Sequence, residues 1–289
     1  MIYVPVKKML WVVALLLGAS SVLAEVKLSG ELTQGSLIRG QVAPGSQVWL
    51  NETPLRVSPS GHFVFGVGRD GALSKTLRVE TPDGQVQTQQ VTLRKRDYRI
   101  QRIEGVEQKH VTPPAEQLER IRQESALTRQ ARAQDIERLD FLEEFIWPTT
   151  GRISGVFGSQ RIFNGEPRQP HSGVDVAAPT GAPVVAPASG VVTLVHPDMF
   201  FSGGTLILDH GYGVSSTFIH LSEILVQEGA EVKQGDLIAR VGATGRATGP
   251  HLHWGMNWFD IRLDPATLVP AMETVLKRQA QEQKGSTGK

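Results

Sequence analysis

Two histidine-containing segments have residue types and spacings that could bind a catalytic metal ion. The first is residues 248–254, Thr-Gly-Pro-His-Leu-His-Trp, in which one residue separates His251 from His253. In a β-strand every second side chain points to the same face, so these imidazoles would share a face about 7 Å apart. One imidazole could bind a metal while the other stands beside the water that the metal activates. A helix is disfavoured because a Gly-Pro pair precedes the histidines.

The second segment is residues 171–175, His-Ser-Gly-Val-Asp. Ligands four residues apart suit the helix of His-Glu-x-x-His zinc proteases, but the Gly- and Pro-rich residues 177–183 that follow argue against a helix. In an extended chain His171 and Asp175 would lie about 13 Å apart, too far to share one ion. We therefore expect a bend at Gly173, which the conformational freedom of glycine permits. Two histidines and an aspartate that leave room for water match the three-ligand pattern of catalytic zinc.

Residues 151–270 resemble the catalytic domain of the lysostaphin-type (LytM-like) zinc metallopeptidases, which cut peptide crosslinks in bacterial cell walls. One position departs from the family pattern, because Phe218 stands where the family often has tyrosine. The resemblance rests on six blocks that follow the family's order: 171–175 (His-Ser-Gly-Val-Asp), 186–192 (Ala-Pro-Ala-Ser-Gly-Val-Val), 209–211 (Asp-His-Gly), 220–221 (His-Leu), 232–238 (Val-Lys-Gln-Gly-Asp-Leu-Ile) and 248–253 (Thr-Gly-Pro-His-Leu-His).

The resemblance implies a role for five residues. His171, Asp175 and His253 would be the zinc ligands, and His251 and His220 would be the catalytic pair beside the metal. A peptidase needs a base for the attacking water and a donor for the oxyanion. We expect His251 to be the base and His220 the donor, although the two roles could be exchanged.

The resemblance also implies a secreted zinc endopeptidase whose substrates are the stem peptides of peptidoglycan. D-alanyl–diaminopimelate crosslinks are the expected bond, and glycyl-glycine bonds are an alternative. A second alternative is a non-catalytic regulator of cell-wall amidases, although every ligand position is filled in this sequence. The regulator reading predicts a chain without zinc, so zinc content separates the two.

Composition and the first residues narrow the class of protein further. With 30 basic and 29 acidic residues, the chain gives no support for binding nucleic acid. The absence of cysteine excludes disulfides, a thiol nucleophile and lipid attachment through cysteine. Residues 1–24 combine two lysines, an apolar run and a small residue at the end, as in a secretory signal peptide. We expect export to the periplasm as a soluble monomer, with a regulatory protein partner or an uncleaved anchor as open alternatives.

We predict a mostly β fold, in which short strand-type runs separated by Pro-Gly turns form a first domain and near-continuous apolar strands form a second. The predicted segments are a signal peptide (1–24), a small β-sandwich-like accessory domain (25–96), a helical linker (97–146), an all-β zinc metallopeptidase domain (147–270) and a polar tail (271–289).

The linker prediction rests on residues 115–145, which are rich in helix formers and contain neither glycine nor proline. Apolar residues recur on one helical face, at Ile136, Leu139, Leu142 and Phe145. We expect this end of the helix to pack on the second domain. We also expect the accessory domain or the linker to lie near the active-site cleft and to restrain activity.

Three further histidines are expected to have no catalytic role. His62 lies in a strand-like run, and His196 is predicted to lie in a loop that contains proline. His210 follows an apolar strand, where a hydrogen bond at the strand end is the simplest role.

Overall fold

A computed structural model describes residues 26–103, 115–163 and 165–286, so the predicted signal peptide lies outside the described residues. In the described part of the chain a helix links two β-rich regions, which confirms the predicted fold class. Among the described residues, no helix is long and apolar enough to span a membrane.

The first region contains two small antiparallel sheets packed over an apolar core. One sheet has the strand order β1-β2-β5 and the other β4-β3-β6-β7. The rings of Phe63 and Phe65 are fully buried between them. The short strand-type runs expected in this region are therefore confirmed. The strands are β1 (Lys27–Ser29), β2 (Leu37–Gln41), β3 (Gln47–Leu50), β4 (Thr53–Leu55), β5 (His62–Gly66), β6 (Ser74–Glu80) and β7 (Val86–Thr92).

The segment between the two regions contains β8 (Ile100–Ile103) and α1 (Leu118–Arg132). The predicted helical face at Ile136, Leu139, Leu142 and Phe145 is wrong, because α1 ends before these residues. Tertiary contacts replace the helix there.

The chain after α1 is held by the second region. The Phe141 N–H donates to the His210 carbonyl oxygen (3.0 Å), and the Phe141 ring packs on Tyr212 at 5.4 Å. Phe145 packs edge-on against His210 at 5.0 Å. Both phenylalanines are buried, so the apolar residues after α1 serve the core of the second region rather than a helical stripe.

The second region is built on a ten-stranded sheet with the main order β17-β14-β15-β16-β19-β12-β9. Every residue of β15 is buried, as expected for a strand covered on both faces. β10 and β11 form a separate small sheet with β8. The strands are β9 (Arg152–Gly155), β10 (Gln160–Phe163), β11 (Glu166–Pro167), β12 (Gly173–Ala177), β13 (Pro183–Val185), β14 (Gly190–Met199), β15 (Gly203–Asp209), β16 (Val214–Ile224), β17 (Glu231–Val232), β18 (Leu237–Val241), β19 (His251–Trp258) and β20 (Ile261–Leu263), followed by α2 (Met272–Ser286).

The prediction of a loop at His196 was wrong. His196 lies within β14, opposite Thr205 of β15, and Pro197 is accommodated at a register shift in that strand pair. His62 lies in β5 as expected.

The two β-rich regions contact each other directly. Arg39 of β2 donates from Nε to the Phe141 carbonyl oxygen (2.6 Å). Arg96 forms an ion pair with the buried Asp264, at 2.8 Å. Leu37 and Val64 of the first region belong to the apolar core of the second. The first region is thus packed on the sheet that carries the candidate site.

Candidate active site

The strand pairing of β12 with β19 brings the two sequence motifs together. Asp175 lies directly opposite His253, and Ala177 lies opposite His251. Directly opposed side chains of an antiparallel pair lie on one face of the sheet. His171 precedes β12, and its N–H donates to the Ser159 carbonyl oxygen (2.8 Å). The His171 ring nevertheless reaches the Asp175 carboxylate, although the residue lies outside β12.

Three atoms of the predicted ligands converge. The Asp175 Oδ1 lies 2.8 Å from His253 Nδ1 and 3.1 Å from His171 Nε2, and the two nitrogens are 3.1 Å apart. Among the described residues these three side chains form a group that could hold a metal ion. The structure thus brings together the three residues that the sequence pattern selected.

Hydrogen bonds on the outer side fix the direction of each ring. His171 Nδ1 lies 3.1 Å from the Val156 carbonyl oxygen, which can only accept. His171 Nδ1 is therefore assigned the proton, and Nε2 keeps a lone pair for a metal. His253 Nε2 lies 3.4 Å from Ser172 Oγ, which leaves its Nδ1 facing Asp175. Ser172 was not singled out from the sequence, although it lies inside the motif.

The electrostatics favour an ionised carboxylate between the imidazoles. Burial alone would raise the pKa of Asp175, but hydrogen bonds from His171 and His253 outweigh it and hold the pKa well below its usual range. Burial lowers the pKa of His253, which is almost fully enclosed. For His171, which is less enclosed, burial would lower the pKa, but the hydrogen bond to Asp175, the charge of its carboxylate and backbone hydrogen bonds together raise it. Below this pKa His171 Nε2 also carries a proton, which a metal must displace, so metal binding should weaken in acid.

Two further imidazoles stand beside the ligand group. His251 Nε2 lies 3.9 Å from Asp175 Oδ1, and the His220 and His251 rings are 4.7 Å apart. Each Nδ1 faces a carbonyl oxygen at 2.8 Å, that of Thr244 for His220 and that of Gly249 for His251. Both Nδ1 atoms are thereby assigned protons, and both Nε2 atoms keep lone pairs.

His220 is placed by an irregularity in β16. Between the pairs Gly204↔Leu221 and Leu206↔Phe218, two residues of β16 oppose one of β15, as in a β-bulge. His220 has a φ of 65°, which is uncommon for a residue with a side chain and marks local strain. Burial lowers the pKa of His220 to about 4, so its ring is neutral near pH 7.

Gly173 has a different role from the one expected. It already lies in β12, opposite Gly255, and it is absent from the described glycines with positive φ. A Cβ at Gly173 would lie 2.2 Å from the Trp254 carbonyl oxygen. The position requires glycine because β19 passes close to it, and the bend occurs before the strand begins.

The ligand group opens into a cleft of about 620 Å³. Arg99 and Gln101, from the segment between the two regions, border it, so the expected closeness of the linker to the cleft is confirmed. None of these residues was singled out from the sequence, nor were Arg168 and Arg246 on the rim, because no motif includes them. His210 lies outside the cleft, buried, with hydrogen bonds to the Ser189 carbonyl oxygen (2.7 Å) and Ser216 Oγ (2.8 Å).

Comparisons with known proteins agree with this geometry. A model of peptidase family M23 matches residues 169–265. The chain is 40% identical over 119 residues to peptidoglycan DD-endopeptidase ShyB of Vibrio cholerae, covering 40% of this chain and 26% of that protein. It is 41% identical over 103 residues to DD-carboxypeptidase/endopeptidase Mpg of Neisseria meningitidis, covering 36% and 24%. The matches thus span about a quarter of these relatives.

A solved structure matches over a much larger part of the chain. The crystal structure of a Pseudomonas aeruginosa protein assigned to peptidase M23 superposes with a TM-score of 0.64 at 30% identity. The match covers 82% of this chain and 95% of that chain. It therefore includes the first β-rich region as well as the sheet that carries the site.

Proposed function

Because this chain belongs to peptidase family M23, we propose that it is a zinc-dependent endopeptidase that hydrolyses peptide crosslinks of bacterial peptidoglycan. The observation that carries the proposal is the convergence of His171, Asp175 and His253 beside two further imidazoles. The expected bond is the D-alanyl–diaminopimelate crosslink. The names of the relatives, DD-endopeptidase and DD-carboxypeptidase/endopeptidase, support that choice.

Two imidazole nitrogens and one carboxylate oxygen are a donor set that suits zinc. The hydrogen bonds of His171 and His253 direct one lone pair of each ring toward the Asp175 carboxylate, which fits a shared ion. A zinc ion held there would lower the pKa of a bound water to about 7 and polarise the carbonyl under attack.

The two other imidazoles would handle protons. His251 is assigned as the base, because its Nε2 has a lone pair and lies closest of the two to the ligand group. His220 also presents a lone pair in the resting site, so it can donate to the oxyanion only after it has received a proton. The donor role that we expected for His220 from the sequence therefore requires prior protonation of its ring. The proton that His251 takes from the attacking water is then available for the leaving amine, and His220 would take its proton from solvent.

We assign residues 1–24 as a signal for export to the periplasm, where the mature chain acts as a soluble monomer on stem peptides. A regulatory protein partner is compatible with the position of Arg99 and Gln101, from the segment between the two regions, at the border of the cleft. Residues 25–96 would be the accessory domain and residues 147–270 the catalytic domain.

The proposal is tested on residues 25–289 with zinc content and cleavage measured separately. We expect about one zinc per chain, and conversion of crosslinked muropeptide dimers to monomers by mass spectrometry, abolished by a chelator. His251→Ala should keep zinc but lose cleavage, while His196→Ala, which changes a histidine of β14, should keep both. If the zinc-loaded chain leaves the dimers intact but cuts a pentaglycine bridge, the substrate is the glycyl-glycine bond rather than the D-alanyl–diaminopimelate crosslink. A chain that binds no zinc would favour the amidase-regulator alternative.

A further inference from the structure

The cleft beside the ligand group has a strongly basic rim. Arg99, Arg168 and Arg246 line it from three separate segments of the chain. Among the described residues that line the cleft, Asp175 is the one carboxylate, and it belongs to the ligand group. A bound divalent cation would add further positive charge. A cleft of this sign attracts anionic ligands and repels cationic ones.

Two of the three rim arginines differ from several arginines elsewhere in how their charges are compensated. Elsewhere in the described chain, arginines such as Arg56, Arg78 and Arg138 have a carboxylate oxygen within 4 Å. Arg99 and Arg246 form no ion pair with a described residue, although both are exposed in the cleft wall. Their charges are therefore available to a ligand.

Neighbouring groups hold the rim in place. Gln160 of β10 connects two of its members, because its N–H donates to the Arg99 carbonyl oxygen (3.0 Å) and its Nε2 donates to the Arg168 carbonyl oxygen (2.7 Å). On the opposite wall, the Arg246 guanidinium lies over the Phe201 ring at 4.4 Å. The Arg246 N–H also donates to the Phe201 carbonyl oxygen (2.8 Å). Both walls thus present guanidinium groups on fixed backbone.

We propose that Arg99, Arg168 and Arg246 bind the free carboxylates of the stem peptides and so select the crosslink that is cut. The inference rests on the proposed function. Guanidinium groups bind carboxylates with paired, charge-assisted hydrogen bonds. A diaminopimelate crosslink carries free carboxylates close to the scissile bond, whereas a glycine bridge carries none within the bridge. The rim therefore favours the diaminopimelate crosslink over the glycyl-glycine bond.

The test compares two crosslinked muropeptide dimers that differ only in whether the diaminopimelate carboxylates are free or amidated. Binding is measured by fluorescence anisotropy to the zinc-loaded His251→Ala chain, so that it does not depend on turnover. We expect about tenfold weaker binding of the amidated dimer. Adding Arg99→Gln and Arg246→Gln should weaken binding of the free-acid dimer by about tenfold and leave the amidated dimer unaffected. Binding of the amidated dimer then shows that the variant is folded.

The matched control is Arg122→Gln, which removes an exposed arginine paired with Glu119 on α1. It should leave both affinities unchanged. If the cleft with intact rim arginines binds the two dimers with equal affinity, or binds neither, the proposed role of the rim in carboxylate binding is refuted. If the free-acid dimer binds preferentially but the unmutated enzyme does not cut it, the proposed endopeptidase function fails while the rim stands.

Discussion

Replacing Gly173 by alanine should test the strand packing on which the ligand group depends. An added Cβ would lie 2.2 Å from the Trp254 carbonyl oxygen and 2.8 Å from Gly255 Cα, where ordinary contacts begin at 3.4 Å. Both neighbours are backbone atoms of β19 and cannot rotate away. The strands must therefore separate by about 1 Å, and overpacking of this kind costs about 1–3 kcal/mol of stability.

The same separation acts on the ligand group. Gly173 lies two residues before Asp175 in β12, and Trp254 follows His253 in β19. The 2.8 Å contact between Asp175 Oδ1 and His253 Nδ1 should lengthen, although metal–ligand distances tolerate only about 0.2 Å. A displacement of about 1 Å in a catalytic group can reduce turnover about 100-fold. We expect losses of zinc affinity and of cleavage in addition to the loss of stability.

The assay combines urea unfolding, competition for zinc with a chelator and cleavage of crosslinked dimers. Gly249→Ala is the matched control, because Gly249 precedes His251 by two residues and an added Cβ there meets nothing within 4 Å. That variant should be neutral or more stable by about 0.4–1 kcal/mol through the unfolded state. If Gly173→Ala binds zinc as tightly as the wild type, the close approach of β12 and β19 does not set the site geometry.

Three other perturbations have distinct expected outcomes. His251→Ala should keep zinc and lower kcat by about 10²–10⁴-fold, which metal analysis beside kinetics will check. Burial raises the pKa of Asp209 to about 7. The native state therefore favours the protonated form, and this contribution is lost as pH rises from about 4 to 7. Asp209→Asn should gain stability relative to wild type over that window, by up to about 4 kcal/mol, and a pH-independent difference in urea unfolding would contradict this. Removing residues 26–114 should raise kcat by releasing a restraint and raise KM by removing Arg99, so unchanged kinetics would argue against both effects.

The convergence of His171, Asp175 and His253 could be anticipated because they lie in two short motifs whose conformations are restricted by local sequence. The spacing of His251 and His253 fixes a shared face once the segment is a strand, and the Gly-Pro pair before it disfavours a helix. All six blocks that resemble the lysostaphin-type peptidases lie within the family match at 169–265, so the expected family is confirmed. Pairing of β12 with β19 then needs only the register that buries Val174 and Val176.

The prediction that was wrong and the feature that was not predicted both depend on parts of the chain that are distant in sequence. The periodic apolar residues after α1 suggested a helix, but the buried contacts of Phe141 and Phe145 to the second region decide their conformation. The bulge that aims His220 arises from its pairing with β15, and nothing in the local sequence marks it. Neither feature could be read from spacing alone, because each depends on which strand lies beside the segment.

The proposed substrate-binding rim of the cleft also depends on which strands lie side by side. β8 pairs in parallel with β10, and this pairing carries Arg99 and Gln101 to the same cleft wall as Gln160. The segment that was expected to restrain the enzyme is therefore also a wall that can bind its substrate. A restraint limits access and a binding wall improves affinity, so the two roles act on different kinetic constants. Arg99→Gln in the complete chain removes the charge and leaves the β8–β10 pairing in place. A higher KM at unchanged kcat in that variant would separate the binding role of β8 from any restraint.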